Sequence, residues 1–131
     1  MSARALHRLP AALLLLLLAA GCASGCGACP PDWSLSPPPD ASGWLYAAGR
    51  CGEVFVEAEA RDVALTRAAR VLADRLGLDV ERRLSVMASD GRLFVEALGP
   101  DGPLLALDGL ELADEARCDG VLHVLVRLRR P

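Results

Sequence analysis

The sequence predicts an α+β fold in which one long amphipathic helix packs on a small, mainly antiparallel sheet. Apolar residues recur at helical spacing in the middle of the chain, and the shorter segments after it alternate apolar and polar positions between turn residues. A leucine run near the start separates a leader from this domain. We therefore divide the chain into a leader (residues 1–21), a proline-rich tether (22–43) and one α+β domain (44–131).

The leader has the composition of a secretory signal. Its apolar run, residues 11–20, includes six consecutive leucines, but about ten residues are too few for a bilayer core, which needs about 20. Arg4 and Arg8 precede the run, and no acidic residue occurs before Asp32. A basic start, an apolar run and small residues behind it are the order of an export signal.

The end of the leader resembles the bacterial lipobox, in which small residues precede the cysteine that is lipidated. The junction reads Leu18-Ala19-Ala20-Gly21-Cys22, with alanine where leucine is usual at the third position before the cysteine. We expect residues 1–21 to be a lipoprotein signal peptide and Cys22 to be the lipidation site. Two alternatives remain open: a weaker match that ends at Cys26, and an ordinary signal that leaves Cys22 as a free thiol.

Lipidation sets the expected location. Each buried CH₂ of an acyl chain contributes about 0.8 kcal/mol, and two or more chains anchor a protein stably. The resemblance implies a cysteine with up to three chains, and Ala23 behind it implies, by analogy with proteobacterial lipoproteins, export from the inner to the outer membrane. We expect an outer-membrane protein whose domain lies in the periplasm or at the cell surface.

The tether contains Pro30-Pro31 and Pro37-Pro38-Pro39. Because proline fixes φ and lacks a backbone donor, we expect residues 22–43 to be extended and semi-rigid. At about 3.1 Å per residue, such a tether would hold the domain up to about 65 Å from the bilayer. The alternative is that it lies against the domain, since Trp33 would gain from burial.

The helix is expected from about Glu53 to Leu76, with Gly77 as the residue that ends it. Its apolar stripe consists of Ala58, Leu65, Ala69, Leu72 and Leu76, widened by Ala64 and Ala68. Its opposite, polar face consists of Glu59, Asp62, Thr66, Arg70 and Asp74. Acids lead and arginines trail along this segment, which suits the helix dipole.

Strands are expected on both sides of the helix. Residues 44–48 are an aromatic-led strand, and Val80, Leu84, Val86 and Ala88 alternate with polar residues before the turn at Asp90-Gly91. Residues 93–98 return the chain, and a loop follows over 99–103.

The last two strands form an expected hairpin with a three-residue loop, residues 118–120, and Gly120 in the left-handed region. This register opposes Leu112 to Val126, Leu110 to Leu128, Ala116 to Leu122, Glu115 to His123 and Glu111 to Arg127.

The order of these features resembles the Lpp-twenty family of bacterial lipoproteins. The resemblance rests on Pro31-Asp32-Trp33, on the opening Gly43-Trp44-Leu45-Tyr46-Ala47-Ala48-Gly49, on the alanine-rich helix from Ala60 to Ala73 and on the closing strand from Asp119 to Val126. It covers about 100 of the 131 residues. It implies a curved antiparallel sheet packed on one long helix, like the N-terminal domain of flagellar assembly protein T, and it implies no shared catalytic residue.

The cysteines offer two kinds of chemistry. Cys26 and Cys29 form a CxxC, whose readings are thiol redox, half of a metal site or a local disulfide. Pro30-Pro31 follow instead of the helix N-terminus that redox use needs. In the domain, Cys51 and Cys118 are a candidate disulfide pair, because each lies at a strand end and export reaches an oxidising compartment.

The net charge and the lack of catalytic groups exclude several classes of function. Loss of residues 1–21 removes two arginines and no acid, which changes the net charge from −3 to −5 and leaves no basic stripe for nucleic acid. His123, opposite Glu115 in the expected register, is half of a catalytic dyad at most. We expect no enzyme, no metal, no cofactor besides the lipid and no small-molecule substrate.

The favoured function is therefore an envelope interaction or structural protein, held in the outer membrane by its lipid, with another envelope protein as the expected partner. One alternative is a periplasmic ligand- or metal-binding module that uses Cys51, Cys118 and His123. The second alternative is a thiol-redox protein that uses Cys26 and Cys29.

Overall fold

The computed structural model describes residues 29–40, 42–52, 56–80 and 83–130. The leader and Cys22 lie outside these ranges. The elements are α1 (Asp32–Leu35), β1 (Trp44–Cys51), α2 (Glu57–Arg75), β2 (Arg83–Ser89), β3 (Arg92–Gly99), β4 (Gly102–Pro103), β5 (Glu111–Cys118) and β6 (Val121–Arg129). The fold class is α+β, as predicted, but the strands form two small antiparallel sheets instead of one.

Sheet A has the strand order β1-β6-β5, and sheet B has the order β2-β3-β4. Side chains of α2 occupy the free edge of β2. Thr66 Oγ1 accepts a hydrogen bond from the Val86 N–H at 3.0 Å, and Asp62 Oδ1 accepts one from the Ala88 N–H at 3.1 Å. Asp62 and Thr66 were predicted on the polar face of the helix, opposite its apolar stripe. That prediction was wrong, because both side chains are half-buried and contact sheet B.

Helix α2 buries Ala60, Ala64, Leu65, Ala68, Ala69, Leu72 and Ala73. Most of the predicted stripe is thus confirmed, whereas Ala58 lies exposed in the first turn. The predicted end is also confirmed. Gly77 has φ +69° and donates to the Asp74 carbonyl, while the Leu78 N–H donates to the Ala73 carbonyl, which is the Schellman pattern.

Gly49 allows the backbone of α2 to pack closely against β1, because it has no side chain. A Cβ atom at this position would collide with the Ala64 carbonyl oxygen and would lie 2.7 Å from the Ala68 nitrogen. With alanines facing a glycine, α2 packs directly on the inner face of sheet A, which carries Leu45, Ala47, Cys51, Leu122, Val124, Val126 and Leu128. This contact is the centre of the hydrophobic core.

The β5–β6 hairpin differs from the predicted register. Its loop has two residues, Asp119 and Gly120, both with positive φ, as in the type I′ turn that Asp-Gly favours. A bulge between Leu112 and Asp114 then shifts the pairing by one residue. The predicted pairs of Glu111 and Leu112 with β6 are confirmed, but those of Glu115 and Ala116 were wrong.

β6 is the central strand of sheet A and is buried on both faces. Its inner residues contact α2, while His123 and Leu125 on the outer face are also buried, at 5% exposure each. Elements from the N-terminal segment, defined here as residues 29–40, cover this outer face. The second layer explains why the closing strand is an almost continuous apolar run.

Candidate functional site on the outer face of sheet A

A disulfide joins Cys29 in the N-terminal segment to Cys118 at the end of β5, with 5.7 Å between the Cα atoms. The predicted pair of Cys51 and Cys118 was therefore wrong. Cys51 pairs with the inward-facing Leu122, whereas Cys118 pairs with Val121 on the outer face. Because successive strand residues point to opposite faces and β6 lies between the two strands, the thiols cannot meet. Cys51 is free and buried.

The same bridge corrects the local-disulfide reading of the CxxC. Cys29 is bonded across 89 positions of sequence instead of to Cys26, which lies outside the described residues. The Asp119 carboxylate lies within 4.8 Å of both bridged sulfurs. Because metals bind thiolates and these sulfurs are bonded to each other, the cluster offers a metal only one ligand while the bridge is intact.

Two residues, Trp33 and Asp40, hold the N-terminal segment by polar contacts in addition to the bridge. The Trp33 indole donates to Asp114 Oδ2 at 3.1 Å, and Asp40 forms ion pairs with Arg75 at 2.6 Å and with Arg130 at 3.3 Å. The N-terminal segment is thus bound to the domain at its start by Cys29, within it by Trp33 and at its end by Asp40. The extended conformation predicted for the tether is interrupted by α1 at Asp32–Leu35, and the packing of Trp33 against the domain is the alternative that the structure favours.

The bulge in β5 orients Asp114 so that it binds the N-terminal segment. It turns this carboxylate to the outer face, where Oδ2 accepts the Trp33 bond and Oδ1 accepts the Glu115 N–H at 2.7 Å. The sequence alone did not explain why Asp114, a carboxylate, lies opposite an apolar residue of β6. Its partner lies 81 positions away, so no local pattern could have found the contact.

A cleft of about 300 Å³ lies between α1 and sheet A. Its lining consists of Ser34, Leu35, Ala48, Gly49, Arg50 and His123. His123 is 5% exposed, and neither its Nδ1 nor the buried Oγ of Ser34 has a hydrogen-bond partner among the described residues. Sequence analysis singled out His123 but missed Ser34 and Arg50, which carry no motif.

The expected cross-strand pair of His123 and Glu115 was wrong. The bulge places Glu115 on the inner face, opposite Val124, where its carboxylate accepts hydrogen bonds from Arg61 of α2 at 2.9 and 3.2 Å. These hydrogen bonds and the negative charge of Glu115 raise the pKa of Arg61. His123 instead faces Ala116 on β5 and Arg50 on β1.

The residues of the predicted ligand or metal module are not brought together. Cys51 lies on the inner face, Cys118 is bonded to Cys29, and His123 lines the cleft beneath α1. In the described ranges, no helix has both the length and the hydropathy to cross a membrane.

No protein-family model matches this chain, and neither a curated protein nor a solved structure is significantly similar to it. The resemblance to the Lpp-twenty family therefore stays a prediction.

Proposed function

We propose that this chain is a lipid-anchored protein of the outer membrane whose small non-catalytic domain binds another envelope protein. In this account residues 1–21 direct export and are removed, and Cys22 carries the lipid. The observation that carries the proposal is the disulfide between Cys29 and Cys118, which begins seven residues after the lipidation site.

The disulfide supports export. Disulfides persist in the periplasm and at the cell surface and are rare in a reducing cytosol. The leader predicts such a compartment from residues 1–21, and the bridge favours it from residues 29 and 118. Two features of different chemistry thus favour an oxidising compartment outside the cytosol.

The bridge also shortens the expected distance to the bilayer. Because residues 29–40 pack on the domain, only the chain from Cys22 to Cys29 is left as a link. Seven residues span at most about 25 Å when fully extended, in place of the 65 Å that a free tether would allow. The end of sheet A that holds Cys118 and the Asp119-Gly120 turn would therefore lie nearest the membrane.

The non-catalytic reading rests on how the candidate groups are used. The sulfurs of Cys29 and Cys118 are bonded to each other, and Glu115 is paired with Arg61 on the face opposite His123. The thiol of Cys29, which a redox CxxC would need, and the carboxylate of Glu115, which a dyad with His123 would need, are thus occupied in structural contacts.

Sheet B provides the surface that favours protein binding. Met87 and Phe94 are cross-strand partners, and they are 57% and 54% exposed. The ion pair of Arg83 with Glu96 lies on the same face of the hairpin. Large apolar side chains beside charged ones are typical of protein interfaces.

Metabolic labelling with an alkyne-bearing palmitate tests the anchor. We expect label in the wild-type protein, its loss in Cys22→Ser and its retention in the matched variant Cys26→Ser. Label that follows Cys26, or wild-type protein that stays unlabelled and leaves the membrane fraction in high salt, would contradict the proposal.

Cross-linking in intact cells tests the interaction. A photo-crosslinking residue at Phe94 should give one discrete adduct, and the mass of that adduct distinguishes a second copy from a different protein. The adduct should weaken in Met87→Ser, and the same probe at the exposed Arg70 of α2 should give none. Monomer alone at position 94, or equal adducts at both positions, would count against an interface on sheet B.

A further inference from the structure

We propose that the cleft between α1 and the outer face of sheet A binds a small monocarboxylate. The groups that would hold the carboxylate are the guanidinium of Arg50, the imidazole of His123 and the hydroxyl of Ser34. This proposal does not depend on the lipid anchor and adds a ligand to a domain for which only a protein partner is proposed above.

The sheet register brings the guanidinium of Arg50 and the imidazole of His123 together. Arg50 on β1 and His123 on β6 are directly opposed in the register, and both point to the outer face. The Cβ atoms of such partners lie about 5 Å apart, which places two side chains within reach of one small ligand. Ser34 of α1 lines the same cleft from above.

Unused hydrogen-bonding capacity points to an occupant. His123 is more than nine-tenths buried, and its Nδ1 has no partner, while the Oγ of Ser34 in the same cleft also lacks one. Buried polar atoms without partners are uncommon in folded proteins, because they have given up hydration without a replacement. Two such atoms around one cavity are accounted for by a ligand that bonds to both.

Charge selects the class of ligand. Among the described residues, Arg50 is the one Arg, Asp or Glu that lines the cleft, and its guanidinium makes no ion pair or hydrogen bond with any of them. One unpaired cation with one hydroxyl and one imidazole suits a single negative charge that accepts several hydrogen bonds. Leu35 and Ala48 add apolar lining, which suits a carboxylate with a short hydrocarbon body over inorganic phosphate.

Imidazole NMR tests the site directly. The chain has two histidines, so His7→Gln leaves His123 as the one imidazole whether or not the leader is removed. We would titrate this full-chain protein, solubilised in detergent, with sodium butyrate at constant ionic strength and follow the His123 ring signals. The expected result is a saturable shift, with no saturable shift from butyramide, which has the same shape without the charge.

Variants assign the binding to the cleft. Arg50→Met should weaken butyrate binding about tenfold, the usual effect of losing a charged hydrogen bond, and Ser34→Ala should weaken it by a smaller factor. The matched control Arg70→Met removes an exposed arginine from α2 and should bind as the wild type does. Ser34→Ala keeps the test valid if Arg50→Met fails to fold.

Four results would overturn the proposal. They are the absence of a saturable shift with butyrate, an equal response to butyramide, unchanged binding in both cleft variants, and tighter binding of inorganic phosphate than of butyrate.

Discussion

Cys29 and Cys118 are bonded across 89 positions of sequence, so that the bridge fastens the N-terminal segment to the far strand of sheet A. The closed loop includes β1, α2, all of sheet B and β5. One covalent link therefore constrains nearly the whole domain. In the proposed mature protein it also sets how far the domain stands from the lipid.

Loss of this bridge should destabilise the domain strongly. In the chain-entropy description, a loop of this length contributes about 4–5 kcal/mol to the free energy of unfolding. We expect Cys118→Ser to lose about that amount in urea denaturation, measured without reductant. Cys51→Ala is the matched control, since Cys51 is unpaired. Equal stability of Cys118→Ser and the wild type would contradict a stabilising role of the bridge.

Gly49→Ala should separate the helix from β1. The added methyl would overlap the Ala64 carbonyl and the Ala68 nitrogen, and such overpacking costs about 1–3 kcal/mol or more. The expected fall in Tm is about 4–8 °C for each kcal/mol in a domain of this size. Gly52→Ala, whose methyl would lie 3.6 Å from Val121, should leave Tm nearly unchanged. A similar Tm for both variants would contradict the close approach at Gly49.

Asp62 and Thr66 should protect the edge of β2. Asp62→Ala and Thr66→Val each remove the acceptor for a β2 amide, which usually costs about 1 kcal/mol. Amide hydrogen exchange should speed up at Ala88 in the first variant and at Val86 in the second. Asp74→Ala, on the exposed side of α2, is the control. Unchanged exchange at both amides would mean that the two bonds do not protect the strand.

Reduction should free the N-terminal segment. Trp33 is half-buried and bonded to Asp114, and we expect its emission to move toward longer wavelength when reductant opens the bridge. Trp44 is the second tryptophan and lies between Arg127 and Arg129, at 4.3 and 4.7 Å from the ring centre, so Trp44→Phe isolates the Trp33 signal. Emission that reductant leaves unchanged would show that other contacts suffice to hold the segment.

Features that depend on residues close together in the sequence were predicted well. The alanine-rich stripe, Gly77 and the turn at Asp90-Gly91 follow from spacing and from backbone preferences within a few residues. The turn at Asp119-Gly120 was placed correctly but was given one residue too many. The helix start was set too early, near Glu53, because that residue was taken as the first of the acids that lead the helix, with Glu57 and Glu59. The predicted N-terminus falls among residues that the structure does not describe, whereas α2 begins at Glu57.

The errors about the site share a physical cause, because the faces and partners of its residues depend on contacts between distant parts of the chain. The bulge after Leu112 decides the faces of Asp114 and Glu115, and nothing in that stretch marks it. The pairing of Cys118 depended on which face of β5 it occupies and on where the N-terminal segment packs. The cleft residues Ser34 and Arg50 come from elements that are neighbours only in the folded chain.

The most direct test of the account is mass spectrometry of the protein purified from membranes without reductant. The account predicts a chain that begins at an acylated Cys22 and a disulfide-linked pair of peptides that contain Cys29 and Cys118. A chain that still carries residues 1–21, or a mature chain with an unmodified Cys22 and free thiols at Cys29 and Cys118, would contradict it.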